Sequence, residues 1–384
     1  MEDSGSKGTV LCGSWIRRPG NINLVLLGKS RIKKSDQAAS IEIFSYDPKA
    51  ISLASTPLVT FVFDVSDGEP TTVAVHPNGD YFACSTTAGV CKFFEILSEN
   101  AKLKVVAKDV HLTHLGLQNC LSFSSDGSRF ATGGADGHLR IMEWPSMNTI
   151  IDEPKAHKSI CDMDFSLDTK FLASTSTDGV ARVWNLEDAV PQTTLTRKPN
   201  EKIELCRFSK DGMKPILFCA AQEGDKSITV VYALNTWQRL GYKRLIIKPP
   251  CKMAISSDGK YIALGSKEGD ISVTLVKSME VKQYTKRLHP GTSIDTMEFC
   301  PDQRVVLTTS KEWGANVSLL SVPADWKVWE IYMVLLGLFL ASVVVFYFVF
   351  ENSDSFWNFP MGKDQPGSSR LHTIFKDRQP NEEL

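Results

Sequence analysis

Between residues 70 and 315 the apolar and polar positions repeat one motif. An apolar pair leads to a Ser or Pro, a turn centred on Asp or Asn, then a strand-like run closed by a second turn. The copies are VAVHPNGDYFACSTTAG, LSFSSDGSRFATGGADG, MDFSLDTKFLASTSTDG, CRFSKDGMKPILFCAAQEG, MAISSDGKYIALGSKEG and MEFCPDQRVVLTTSKEWG. Their turn residues Asn78, Asp126, Asp168, Asp211, Asp258 and Asp302 are 48, 42, 43, 47 and 44 positions apart. Alternating residues such as Phe171, Ala173 and Thr175 line one face of a strand, and Asn or Asp before Gly suits the positive φ of a tight hairpin. Four short strands at this period predict a blade that cannot bury both of its faces alone, so the blades must stack radially into a propeller. Ahead of the six copies, SWIRRPGNINLVLLGK and SIEIFSYDP add two strand-like runs around the polar loop Ser30 to Ser40, making seven blades.

A second pattern breaks the first. From Ile331 to Phe350 the chain runs 20 residues without a charge, enough at 1.5 Å per residue for roughly 30 Å of hydrocarbon. Trp326, Trp329 and Tyr332 precede this predicted transmembrane helix and Phe356 and Trp357 follow it, where ring side chains favour the headgroup zone. Lys311 and Lys327 before the span balance Lys363 and Arg370 after it, so flanking charge does not set the orientation. Met1 to Val10 lacks the apolar core of a secretory signal, which favours a cytosolic N-terminal body. The expected organisation is a flexible start at 1–11, a cytosolic propeller at 12–325, the helix at 331–350 and a luminal tail at 351–384. The sequon Asn316-Val317-Ser318 then lies on the cytosolic side and stays unmodified.

Composition narrows the chemistry. Lys and Arg total 43 against 44 Asp and Glu, with a pI near 6.7, so there is no basic field for nucleic acid. The nine cysteines, an odd number with no C-x-x-C pair, suit a reducing compartment and argue against a zinc site. The sequence lacks a G-x-S-x-G, H-E-x-x-H, P-loop or Rossmann motif, and its seven histidines are scattered, so neither a cofactor nor a metal is expected.

Two constellations remain. The unit AHKSICDMDFSLDTKFLASTSTDGVARVWNLE resembles the WD-repeat family, with His157, Ser174, Asp178 and Trp184 where that family places a buried hydrogen-bond tetrad. Such a His-Ser-Asp set looks like a triad, but the resemblance implies a brace for the blade. The neighbouring unit departs, with Met142 at the tryptophan position and Trp144 two places later. The other constellation is a basic stretch after Gly28, with Lys29, Arg31, Lys33 and Lys34 between the first two strand-like runs. It suits an acidic partner or anionic headgroups; the alternative is a solvated loop.

Several stretches are too particular for generic repeats: CGSWIRRP from Cys12, RIMEWP from Arg140, DEPKAHKSICDMDFSLD from Asp152, IELCRFSKDG from Ile203, LTTSKEWG from Leu307 and FENSDSFW from Phe350. They resemble the plant phosphate transporter traffic facilitators, relatives of the ER-membrane exchange factors that activate the small GTPase of the COPII coat. The resemblance implies an all-β seven-bladed WD-repeat propeller with one C-terminal anchor in the ER membrane, assisting exit of phosphate transporters. The partners it implies are those transporters, COPII coat components or their GTPase, and ER lipid. The related exchange factors carry a glycine-rich first-blade loop, whereas Gly28 to Ser40 holds only Gly28. That departure favours a non-enzymatic protein acting by protein–protein interaction, with an exchange factor as the alternative.

Overall fold

The computed structural model describes residues 9–18, 22–31, 38–99, 102–108, 110, 112, 115–212, 215–321 and 328–351. Seven antiparallel sheets follow one another along the chain, spanning residues 10–62, 70–108, 118–153, 160–194, 201–243, 250–285 and 296–319. They are the blades of a seven-bladed β-propeller. The innermost strands are Val10–Arg18, Pro70–Val75, Gln118–Phe123, Ile160–Phe165, Glu201–Phe208, Pro250–Ile255 and Thr296–Phe299, each beside the next. Val10–Arg18 also packs on Thr296–Phe299 and Val305–Ser310, which closes the ring. The first strand begins at Val10, two residues ahead of the expected boundary.

In blades 2 to 7 each strand runs antiparallel to the one before it, so these blades turn on alternate faces. The Asp-centred turns between first and second strands lie on one face. Hairpins between second and third strands, and the links to the next blade, lie on the other. The Asp turns are closed by their own side chains: Ser124, Ser166 and Ser256 hydroxyls each donate at 2.6 Å to Asp126, Asp168 and Asp258. Each of those carboxylates also accepts the backbone N–H two residues on, a local bond that makes the turn independent of its neighbours.

The core is layered between blades. Ala173, Ala181 and Val183 of blade 4 pack on Ile203, Cys206, Leu217 and Val230 of blade 5, and Trp15, Val25 and Phe44 of blade 1 on Val305 and Leu307 of blade 7. Full burial of each Val, Leu, Ile or Phe side chain among these is worth about 1.5–3 kcal/mol, so neighbouring blades stabilise one another. Polar links cross the same seams. Glu298 Oε2 accepts the Ser14 hydroxyl at 2.7 Å and the Trp15 N–H at 2.9 Å, joining blade 7 to blade 1. Asp164 Oδ2 accepts the Phe208 N–H at 2.7 Å, and Asp162 Oδ2 accepts the Cys206 N–H at 3.1 Å and Arg207 Nη1–H at 2.6 Å, joining blades 4 and 5. Burial pushes the Asp164 and Glu298 carboxyls above the usual range despite these donors.

All nine cysteines are free thiols. The thiol of Cys12 is pushed up to about 12, chiefly by burial, and burial likewise raises Cys84 and Cys206, so these stay protonated and inert.

The helix Val328–Glu351 is a separate unit. Its Trp329–Val349 stretch is long and apolar enough to cross a membrane. Side chains from Ile331 to Val349 are exposed on all sides, as a lipid-facing helix requires. The helix encloses the expected span, with Ile331 three residues inside its start and Phe350 one residue from its end.

Candidate interaction site

The basic stretch divides once its strands are placed. Gly28 lies within the strand Ile22–Lys29, paired with Cys12. A Cβ there would sit 2.5 Å from Cys12 Sγ and 3.1 Å from Pro70 Cβ. Gly28 therefore lets the first two blades approach and is not a loop residue. Lys29 ends the strand with its ammonium 2.6 Å from Glu42 Oε2 and 5.3 Å from the Phe44 ring centroid. Glu42 is buried, so this pair braces blade 1 and Lys29 is not available as a grip.

Past the strand, the Ser30 N–H donates to the Thr9 carbonyl at 2.9 Å and the Arg31 N–H to Glu69 Oε1 at 3.0 Å. These bonds tie the loop base to the N-terminal strand and to the link into blade 2, while the Arg31 side chain is exposed. Lys33 and Lys34 lie outside the described residues. The loop springs from a second-to-third-strand connection. Its described base, Ser30 and Arg31, therefore lies on the propeller face opposite the end of Gly314–Leu319, the last strand.

In blade 4, three of the four tetrad residues meet. Trp184 Nε1–H donates to Ser174 Oγ at 2.9 Å, and His157 Nε2 lies 2.8 Å from the same oxygen. Asp178 departs from the buried position expected of it: it is exposed on the hairpin and its Oδ1 accepts the Val180 N–H at 3.1 Å. The carboxylate closes a turn two residues long, a bond available locally and in water, so it has no need of the imidazole. Burial of His157 and the nearby Arg182 guanidinium hold the imidazole neutral down to about 4. The set has no exposed nucleophile.

A stability prediction separates these roles. Ser174→Ala should cost about 1–3 kcal/mol by leaving a buried indole N–H and an imidazole nitrogen unpaired. Asp178→Ala should cost about 1 kcal/mol or less. Thermal melts of the two variants measure this directly; equal losses would mean that Asp178 carries weight its position does not give it.

Blade 7 holds a related set that the sequence pattern missed. His289, buried, has Nε2 2.8 Å from Thr308 Oγ1 and Nδ1 3.1 Å from Ser310 Oγ. The blade has no tryptophan in its third strand, so the motif is hidden. A His in the link before the blade, followed by hydroxyl residues late in the second strand, is the signal that could have found it. Among the described residues no group of His, Cys, Asp or Glu is arranged to hold a metal ion.

Residues 109–142 and 148–185, centred on blades 3 and 4, match the family "WD domain, G-beta repeat". Over 95% of its length the chain is 56% identical to SEC12-like protein 1 of Arabidopsis thaliana, covering 92% of that protein. The chain belongs to the SEC12-like protein family. SEC12-like protein 2 of Arabidopsis thaliana is 30% identical over 74% of the chain and 73% of its own length. Guanine nucleotide-exchange factor SEC12 of Rattus norvegicus is 23% identical over 65% of the chain and 67% of its own length. This last likeness overturns the expectation of a non-enzymatic chain. That expectation rested on a loop poor in glycine.

Proposed function

We propose that this SEC12-like chain is a membrane-anchored guanine-nucleotide-exchange factor. It acts on the small GTPase of the COPII coat from the cytosolic face of the ER, and its cargo includes plasma-membrane phosphate transporters. The observation that carries the reading is the likeness to a protein named as an exchange factor, running through most of the propeller. An exchange factor accelerates release only by holding the nucleotide-free GTPase more tightly than the loaded one. A closed ring with its seams fixed by buried packing is a rigid body suited to that task, since little is lost in ordering it. The phosphate-transporter part rests on the stretches from Cys12 to Phe350 that resemble the plant traffic facilitators.

Arg31, Lys33 and Lys34 are assigned to an acidic partner surface, with Lys29 left to its pair with Glu42. Each exposed ionic contact is worth about 0.2–1 kcal/mol, so the three are changed together. In cells carrying Arg31→Ala, Lys33→Ala and Lys34→Ala, phosphate transporters should accumulate in the ER while the variant keeps normal abundance. Normal transporter delivery would remove the loop from the mechanism. For the orientation, protease added to sealed microsomes should digest the propeller and spare the tail after the helix; a protected propeller would reverse it.

A further inference from the structure

We propose that the outer seam between blades 5 and 6 is a docking site for an extended acidic segment of another polypeptide. From Lys226 to Lys252 the chain carries six cations and no carboxylate, although its overall net charge is only −1. This stretch ends blade 5 in the outer strand Arg239–Lys243, crosses the link 244–249 and enters blade 6. Two of its cations are spent within the fold. Arg239 pairs with the buried Glu201 at 2.8 Å, and Lys248 with Glu268 at 2.8 Å. Lys243 and Arg244 are exposed and, among the described residues, join no ion pair. Lys286 and Arg287, just past the outer strand Glu280–Thr285 of blade 6, are in the same state.

The two pairs share one surface. The Ser272 hydroxyl of blade 6 donates to the Leu245 carbonyl at 2.5 Å, which seats the link on that blade. On the same blade, buried Asp270 accepts the Tyr284 hydroxyl at 3.0 Å and the Arg287 N–H at 2.8 Å. Both outer strands end on the face that carries the links between blades. The neighbouring carboxylates are already engaged: Asp270 with these two donors, Glu268 with Lys248, and Glu280 with Lys282 at 2.7 Å. Four cations therefore stand without counter-charge, and their mutual repulsion is relieved by a bound anion.

The groups around the cations select a peptide. Tyr242 and Ile247, 58% and 55% exposed, flank Lys243 and Arg244, a surface complementary to a segment that alternates acidic and apolar side chains. A nucleic-acid base would need the Tyr242 ring for stacking, but Lys198 Nζ and the Arg239 guanidinium already lie 5.0 Å from its centroid. A flat anionic leaflet would meet exposed Glu268 and Glu280 together with the cations, whereas a single chain can set its carboxylates against the cations alone. The site is separate from the basic stretch of blade 1 and does not depend on exchange activity.

The test uses the full chain in phosphatidylcholine nanodiscs and a fluorescent peptide of alternating Glu and Tyr, with a Gln-for-Glu counterpart. Because the basic stretch of blade 1 also suits an acidic ligand, Arg31→Ala, Lys33→Ala and Lys34→Ala are present in every protein compared by anisotropy. The Glu peptide should bind about tenfold or more tighter than its counterpart, and salt should weaken it. Adding Lys243→Ala, Arg244→Ala, Lys286→Ala and Arg287→Ala together should lower its affinity about tenfold or more, each exposed contact being small alone. In the unaltered chain the bound Glu peptide should slow hydrogen exchange at 244–248 and 284–287, a readout that needs no variant to fold. The proposal is overturned if the two peptides bind alike, if the fourfold change leaves affinity intact in a protein of unchanged melting temperature, or if neither segment is protected. It is equally overturned if phosphatidylserine vesicles or polyuridylate bind these four cations more tightly than the Glu peptide does.

Discussion

Gly137→Ala is expected to destabilise the propeller by about 2–5 kcal/mol, the sum of a left-handed backbone penalty and an overpacked contact. Gly137 holds φ +85 in the hairpin between the second and third strands of blade 3. A Cβ there would collide with the His157 carbonyl, whose own N–H donates to the Gly137 carbonyl at 3.1 Å. The hairpin of one blade is thereby seated on the entry of the next, and neither backbone can retreat without breaking that bond. Gly269 repeats the arrangement with His289 at the seam between blades 6 and 7. Gly241, in an outer strand with open space around it, is the control: Gly241→Ala should shift stability by about 0.5 kcal/mol or less. Denaturant unfolding of Gly137→Ala, Gly269→Ala and the Gly241→Ala control measures this, and a Gly137→Ala protein as stable as the control would contradict the seating.

Acid should loosen the ring before it titrates most carboxylates. Burial and Arg182 lower His157 from 6.5 to about 4 in the folded state. A depressed histidine contributes stability that is fully present above the unfolded value of 6.5 and is lost as pH falls toward 4. At full protonation the loss is about 3 kcal/mol, from the free energy of each pKa unit. Burial lowers His289 too and adds in the same direction. Asp164 and Glu298 work oppositely: their raised carboxyls favour the folded state once protonated, and that contribution fades as pH rises through their folded values. Melting temperature should therefore fall between pH 6.5 and 4, and His157→Asn should flatten that slope. A slope unchanged in the variant would show that the imidazole is not held neutral.

The regular parts of this molecule were legible because their causes are local. A Ser and an Asp two residues apart make a turn through their own hydrogen bonds, so the spacing of Asp126, Asp168 and Asp258 marks blades before any packing is known. The apolar span from Ile331 needs only composition and length. The site was less legible because its geometry depends on partners distant in sequence. Lys29 reads as one of four loop cations until strand pairing sets Glu42 beside it, and Gly28 reads as a loop glycine until Cys12 and Pro70 crowd it. Asp178 follows the WD-repeat pattern in position, but the Val180 N–H two residues away captures its carboxylate.

Nucleotide release from the small GTPase of the COPII coat, loaded with a fluorescent GDP and mixed with the full chain in nanodiscs, tests the central claim most directly. The release rate should rise by about tenfold or more, equivalent to a barrier lower by about 1.4 kcal/mol or more. The increase should shrink when Arg31, Lys33 and Lys34 are all Ala. A release rate that stays at that of the GTPase alone, with saturating and correctly folded chain, would contradict the exchange function.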